Sequence, residues 1–163
     1  MTMFNQLISN LNQAKEYQIF VGWEDDFFNM LANVHEFGVA IKVTDKMRRF
    51  LAIRYKIHLK KSTEYIHIPP RAPREKTINK NQDKWIRAVD KLTQQYNYDM
   101  KKVTVALAFI IKKDYQAQLL SGQFKELSSA TMHMRQIKGV VGNMPLYATG
   151  EWERRMVDKV AFK

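Results

Sequence analysis

Apolar positions recur along this chain with two periods, and the switches between them mark its elements. Phe4, Leu7, Ile8, Leu11 and Ala14 fall at helical spacing, which predicts an amphipathic helix over residues 1–15. Residues 17–23 alternate instead, with Ile19, Val21 and Trp23 on one face, so a strand is expected there, with Gly22 marking its end or a bulge. Residues 31–38 return to a helical pattern that Gly38 closes in the left-handed region. Residues 39–43 give a second strand, and Thr44 or Asp45 caps a helix over residues 45–60 through Met47, Phe50, Leu51 and Tyr55. Residues 65–68 alternate as a third strand. Trp85, Ala88, Val89, Leu92 and Tyr96 form one helical stripe and Val103, Leu107, Ile110 and Ile111 another, so residues 79–121 read as a helical pair. The short connection over residues 97–100 makes that pair antiparallel and lets it cover a sheet. A helix is expected over residues 124–138, stopped by Gly139, and a last strand over residues 157–162. These elements predict an α+β fold in a single domain, with a small, mainly antiparallel four-stranded sheet packed by several helices.

The alternation at residues 65–68 ends in Pro69-Pro70-Arg71-Ala72-Pro73-Arg74. Prolines fix φ and remove backbone donors, so strand pairing must stop there. Residues 68–74 are expected to be an extended, stiff, positively charged arm, serving either as a rigid connector from sheet to helix or as a contact surface.

Composition changes the picture in two ways. With 163 residues, 45% hydrophobic and 12% aromatic, the chain can build a real core, and with no cysteine it has no disulfide, thiolate metal site or thiol nucleophile. Lysine and arginine outnumber acids 27 to 16, and the resulting charge of +11 calls for a partner or surface of negative sign. Arg48, Arg49, Arg54 and Lys56 lie along the helix expected at residues 45–60, with Lys60 and Lys61 at its end. That charge alternates with a core face, as on a solvated helix, and nothing pairs with it as a helix-turn-helix. The longest nearly apolar run, residues 103–111, is too short to span a bilayer, and the N-terminus has no basic-then-apolar leader, so a soluble protein is expected.

Candidate chemistry is sparse. Glu24-Asp25-Asp26 could hold a hard cation, but acids just before Phe27 suit the cap of a helix better. His35-Glu36 opens like a helical zinc-protease motif, yet the second histidine would fall at Val39. Asp114 ends a helical stripe and is expected to pair with a nearby lysine. Met132 and Met134 fall on different sides of a helix and read as packing filler. No glycine-rich phosphate loop and no nucleophile elbow occurs, so neither a catalytic residue nor a cofactor is expected. Thr149 suits the N-cap of a short helix that begins near Glu151.

Taken in order, five stretches resemble the tail-completion, neck or virion-morphogenesis proteins of long-tailed bacteriophages. Val21-Gly22-Trp23 is similar to the strand end that opens the family pattern. Residues 31–38 resemble its LAxIHEFG helix, and residues 45–51 its xKMRRFL helix. Ile68-Pro69-Pro70-Arg71 resembles its IPPRPF or IPARPF turn, and residues 145–150 its PLVDTG loop. Ala72-Pro73-Arg74 replaces the aromatic that usually follows, and Ala148 replaces the acid before Thr149-Gly150. The resemblance runs over residues 17–162.

It implies a structural virion protein at the head-tail junction, made in the cytoplasm of a bacterial host. It further implies a homo-oligomeric ring, hexameric by resemblance, that meets connector and tail proteins and surrounds genomic DNA without reading its sequence. Pro69, Pro70, Arg71, Arg74, Leu146, Thr149 and Gly150 are the candidate subunit or partner contacts, and Arg48, Arg49, Lys60 and Lys61 the candidate basic surface. The competing classes are a small basic nucleic-acid-binding protein stacking bases on Trp23, Trp85 and Trp152, and an enzyme built on scattered Asp, Glu and His.

Overall fold

A computed structural model describes residues 3–162 of the chain. The elements run α1 (Met3–Glu16), β1 (Tyr17–Gly22), α2 (Asp26–Phe37), β2 (Val39–Lys42), α3 (Asp45–Tyr55), β3 (Tyr65–Ile68), α4 (Pro73–Gln95), α5 (Met100–Leu120), α6 (Ser129–Ile137), α7 (Glu151–Arg154) and β4 (Val157–Phe162). Mixed helix and antiparallel strand is the architecture expected. The sheet is not. The strands form two antiparallel ribbons of two strands each, β1 with β4 and β2 with β3, in place of one four-stranded sheet. Tyr17 lies opposite Phe162 and Gly22 opposite Val157, while Val39 lies opposite Ile68 and Lys42 opposite Tyr65. α2 separates β1 from β2 in the chain, so the first strand closes on the last instead of on its neighbour.

Local chemistry explains most of the boundaries. Asp25 caps α2, its carboxylate accepting from the backbone N–H groups of Phe27 and Phe28, and Glu24 reaches across to Lys159 on β4. Asp25 is thus occupied as a cap and Glu24 in an ion pair, and Asp26 stands in the first turn of α2. Thr44 caps α3, Asp99 caps α5 and Ser128 caps α6, each through a side-chain oxygen.

Several expected boundaries move. α3 ends at Tyr55 and not at residue 60, because Lys56 turns left-handed (φ 55°) and its N–H returns to Ala52. Lys60 and Lys61 therefore stand in the following loop. The helical pair begins at Pro73, six positions before residue 79, because proline is well suited to a first helical turn. α6 begins at Ser129 instead of residue 124. Phe124 is buried from a coil, with the Lys76 ammonium 4.9 Å over its ring. The first helix is described from Met3, and of its expected stripe the side chains of Phe4, Leu7 and Leu11 lie outside the described residues, as do residues 1 and 2.

α4 and α5 pack antiparallel across the tight turn at residues 96–99, and Asp114 on α5 takes Lys84 and the Trp85 indole N–H (2.8 Å) from α4. α5 also lies across the β1–β4 ribbon, where Lys112 pairs with Asp158 at 2.6 Å. The core gathers between them: Trp23 after β1, Phe28 of α2, Tyr115 and Leu119 of α5, Trp152 of α7 and Met156. Trp23 and Trp152 stack with centroids 4.9 Å apart, and the Trp23 indole N–H donates to the Trp152 carbonyl at 2.6 Å.

Candidate functional site

The end of α2 and the start of α4 are fastened together through the residues between His35 and Glu75. The His35 carbonyl accepts from the backbone N–H of both Arg71 (2.8 Å) and Ala72 (3.2 Å). Ala72 then adopts a left-handed conformation (φ 46°, ψ 53°), and its methyl can cap nothing. Glu36 supplies the cap instead. Its carboxylate, on a residue only 8% exposed, accepts from the N–H of Arg74 (2.9 Å) and of Glu75 (3.0 Å), with the Arg74 Nε 3.9 Å away. A negative group on the open N–H ends of a helix is favoured by hydrogen bonding and by the helix dipole alike. The buried Tyr115 hydroxyl feels that carboxylate, and burial together with Glu36 holds its pKa well above the usual phenol value.

Gly38 completes the joint. At φ 73° it takes a conformation that side chains rarely adopt, and a Cβ there would stand 2.8 Å from the Ile68 carbonyl and 2.9 Å from Pro70. The arm thus lies directly on the backbone that follows α2.

This changes the standing of the two arginines. Arg71 was expected on an exposed arm, but it is 6% exposed, and its Nε donates to the Lys125 carbonyl at 3.3 Å. The two backbone bonds to His35 turn the chain inward at that residue, so Arg71 is buried although Pro70 just before it is exposed. Arg74 remains about half exposed and lies over the Phe37 ring at 5.7 Å. Pro69 and Arg71 line one cleft, and Arg71 also lines a second.

In that second cleft, of about 360 Å³, Arg71 meets Leu146, Thr149 and Gly150. Four of the seven expected contact residues, separated by some eighty positions in sequence, therefore share one depression, while Pro69, Pro70 and Arg74 lie outside its lining. Gly150 (φ 73°) starts α7 and lets the Tyr147 hydroxyl approach to 2.8 Å of where a Cβ would stand. Thr149 is no true cap, its hydroxyl reaching the Glu151 N–H only at 3.4 Å. His35, Thr131, Arg135, Glu151 and Trp152 complete the polar lining, none of them among the contact residues expected from the sequence. His35 and Trp152 stand within the motif stretches or beside them, whereas nothing in the sequence pattern marks Arg135.

The cleft is electrostatically one-sided. Burial and the neighbouring Arg135 lower the Arg71 pKa, burial lowers that of Arg135, and burial followed by Arg71 lowers His35 from 6.5 to about 4. His35 is therefore neutral near pH 7. Its Nδ1 and the Trp152 Nε1 are buried with no hydrogen-bond partner among the described residues.

The expected basic surface divides. Arg48 is not free, because its guanidinium clamps the loop after α3 by donating to the carbonyls of Lys60 (2.9 Å), Lys61 (3.3 Å) and Thr63. Arg49, Lys60 and Lys61 are exposed. No group of three or more metal-ligating side chains is found among the described residues, and no helix among them is long and apolar enough to cross a membrane. Set against models of protein families, characterised proteins and solved structures, the chain matches none.

Proposed function

We propose that this protein is a structural component of a phage particle, a tail-completion or neck protein of the head-tail junction. It assembles there as a ring around the DNA channel and joins connector to tail. The observation that carries the reading is the convergence of its motif stretches: His35 of α2, Arg71 of the arm and Leu146, Thr149 and Gly150 of the late loop line one cleft, and Trp23 stacks on Trp152 behind it. Residues distant in sequence that meet at an open surface are what a shared contact site needs. A ring requires each subunit to offer two different faces, and this cleft is one of them.

The net charge of +11 suits a lumen through which phosphates pass, and Arg49, Lys60 and Lys61 supply exposed positive charge for it. Catalysis and a cofactor form no part of the proposal. The alternative of a base-stacking nucleic-acid binder is weakened by burial of Trp23 and Trp152 in the core and by the tie between Trp85 and Asp114.

The test is the mass of the purified protein over a concentration series, by sedimentation or light scattering, alone and with co-expressed connector and tail proteins. A discrete closed ring in either condition is the expected result. A monomer throughout, unaltered by those partners, sinks the proposal.

A further inference from the structure

Arg71 and Arg135 line the same cleft, and among the described residues no carboxylate lies within ion-pair distance of either. Glu151, at the same cleft, is committed to Arg155 at 2.7 Å. A buried guanidinium is normally matched by an acid, since removing it from water without a counter-charge is costly. Here Arg71 is 94% buried by its 6% exposure, and its Nε bond to the Lys125 carbonyl brings no negative charge. Arg135 uses its Nη1 on the carbonyls of Gly142 (3.2 Å) and Met144 (3.1 Å), which are likewise neutral. The Trp152 indole, itself 6% exposed, lines the cleft with an N–H that has no acceptor. Two guanidiniums and an indole thus line a depression whose own carboxylate, Glu151, is turned to Arg155.

The walls select among anions. Phe28, Leu31, Leu127 and Leu146 make the surroundings apolar, and about 360 Å³ holds one or two side chains but not a run of nucleotides. A nucleic-acid backbone would need an open groove with charges tracking along it. A planar carboxylate accepts two parallel N–H bonds from a guanidinium, and an aliphatic neighbour would fill the apolar wall. We infer that the cleft between α2, the Arg71 turn and the Leu146–Gly150 loop is a binding pocket for a peptide carboxylate. Its ligand is an acidic side chain or chain terminus of a partner polypeptide, presented beside an apolar residue. This inference stands on the geometry of the cleft and does not depend on the assembly reading.

The experiment titrates the full chain at pH 7 with acetyl-leucyl-glutamate amide, its glutamine twin, acetyl-leucine with a free carboxylate, and inorganic phosphate. Binding is followed by calorimetry and by tryptophan emission, which Trp152 makes sensitive to the pocket. The two carboxylate probes should bind, the first if a side chain is the natural ligand and the second if a terminus is, with the glutamine twin roughly tenfold or more weaker. Arg71→Met should lose roughly ten- to a hundredfold in affinity while melting no lower than the parent, because it removes an unmatched buried charge. Trp152→Phe, which deletes the N–H together with the pyrrole part of the indole, should weaken binding by a smaller factor as read by calorimetry. Equal binding of the neutral twin, binding of phosphate alone, or an Arg71→Met protein that binds as before would each overturn the inference.

Discussion

At the scale of single residues, the most consequential group is Glu36. An acid buried on the inner face of a helix looks like an error until its carboxylate is seen on the N–H groups of Arg74 and Glu75. Glu36→Ala should destabilise the protein by about 1–3 kcal/mol, since two helix-end donors and a cap are lost together. Glu36→Gln, which keeps one acceptor, should cost less. Denaturant titration at constant slope measures both, and an alanine variant as stable as the parent would remove Glu36 from this role. His35 sets a pH dependence beside it. Its folded pKa of about 4 lies below the unfolded value of 6.5, so between these limits the unfolded chain binds the extra proton. The contribution of His35 to stability is therefore complete above pH 6.5 and declines as the pH falls toward 4. Arg71, which lines the same cleft, adds repulsion to a protonated ring. Melting curves of the parent and of His35→Gln should converge in slope above pH 6.5, with the variant flatter from pH 6.5 to 4. Parallel curves over that range would refute it.

Among elements, the joint of α2, Gly38 and the arm fixes how β2 meets β3. Gly38→Ala would put a methyl 2.8 Å from the Ile68 carbonyl at a left-handed φ of 73°, so strain and collision add. We expect a loss of more than about 1 kcal/mol in thermal or chemical unfolding, larger than that of Gly122→Ala, where φ is 68° but a Cβ would meet nothing within 4 Å. The sequence makes the elements themselves legible wherever a local rule governs them. The α4 and α5 stripes, the Asp25 and Thr44 caps and the alternation of β4 all follow from local spacing, whereas the lysine that Asp114 meets, Lys84, comes from the neighbouring helix 30 positions away. What escapes is decided at long range. Alternation identifies a strand but not its partner, so two ribbons were indistinguishable from one sheet. Pro-Arg runs look solvated, yet two N–H bonds to His35 turn Arg71 inward. Glu36 acts on a helix 38 positions away, and no periodicity reports that. Within the cleft, Leu146, Thr149 and Gly150 are visible in the sequence, whereas Arg135 is brought there by α6 alone.

At the scale of the whole molecule, apolar surface remains without cover. Ile53 on α3 is 74% exposed, and Val105 and Phe109, one turn apart on α5, are both about half exposed. Scattered exposed apolar residues are ordinary, and the proposed ring would use the turn-spaced pair on α5 as part of a subunit face. Replacing Ile53 and Phe109 with glutamine should leave unfolding within about 0.5 kcal/mol of the parent, as surface changes do, while lowering the mass of any assembly it forms. Unchanged assembly would assign these faces to solvent.

The double hydrogen bond to the His35 carbonyl has one further consequence. The chain departs from that point at Gly38, builds β2, α3 and β3, and comes back to the same carbonyl at Arg71 and Ala72. Residues 38–70 are thus a lobe sewn shut at its base, latched elsewhere by His133 on the Tyr55 carbonyl (2.8 Å). The cleft is built from the seam and from what lies beyond it, since none of residues 38–70 enters its lining.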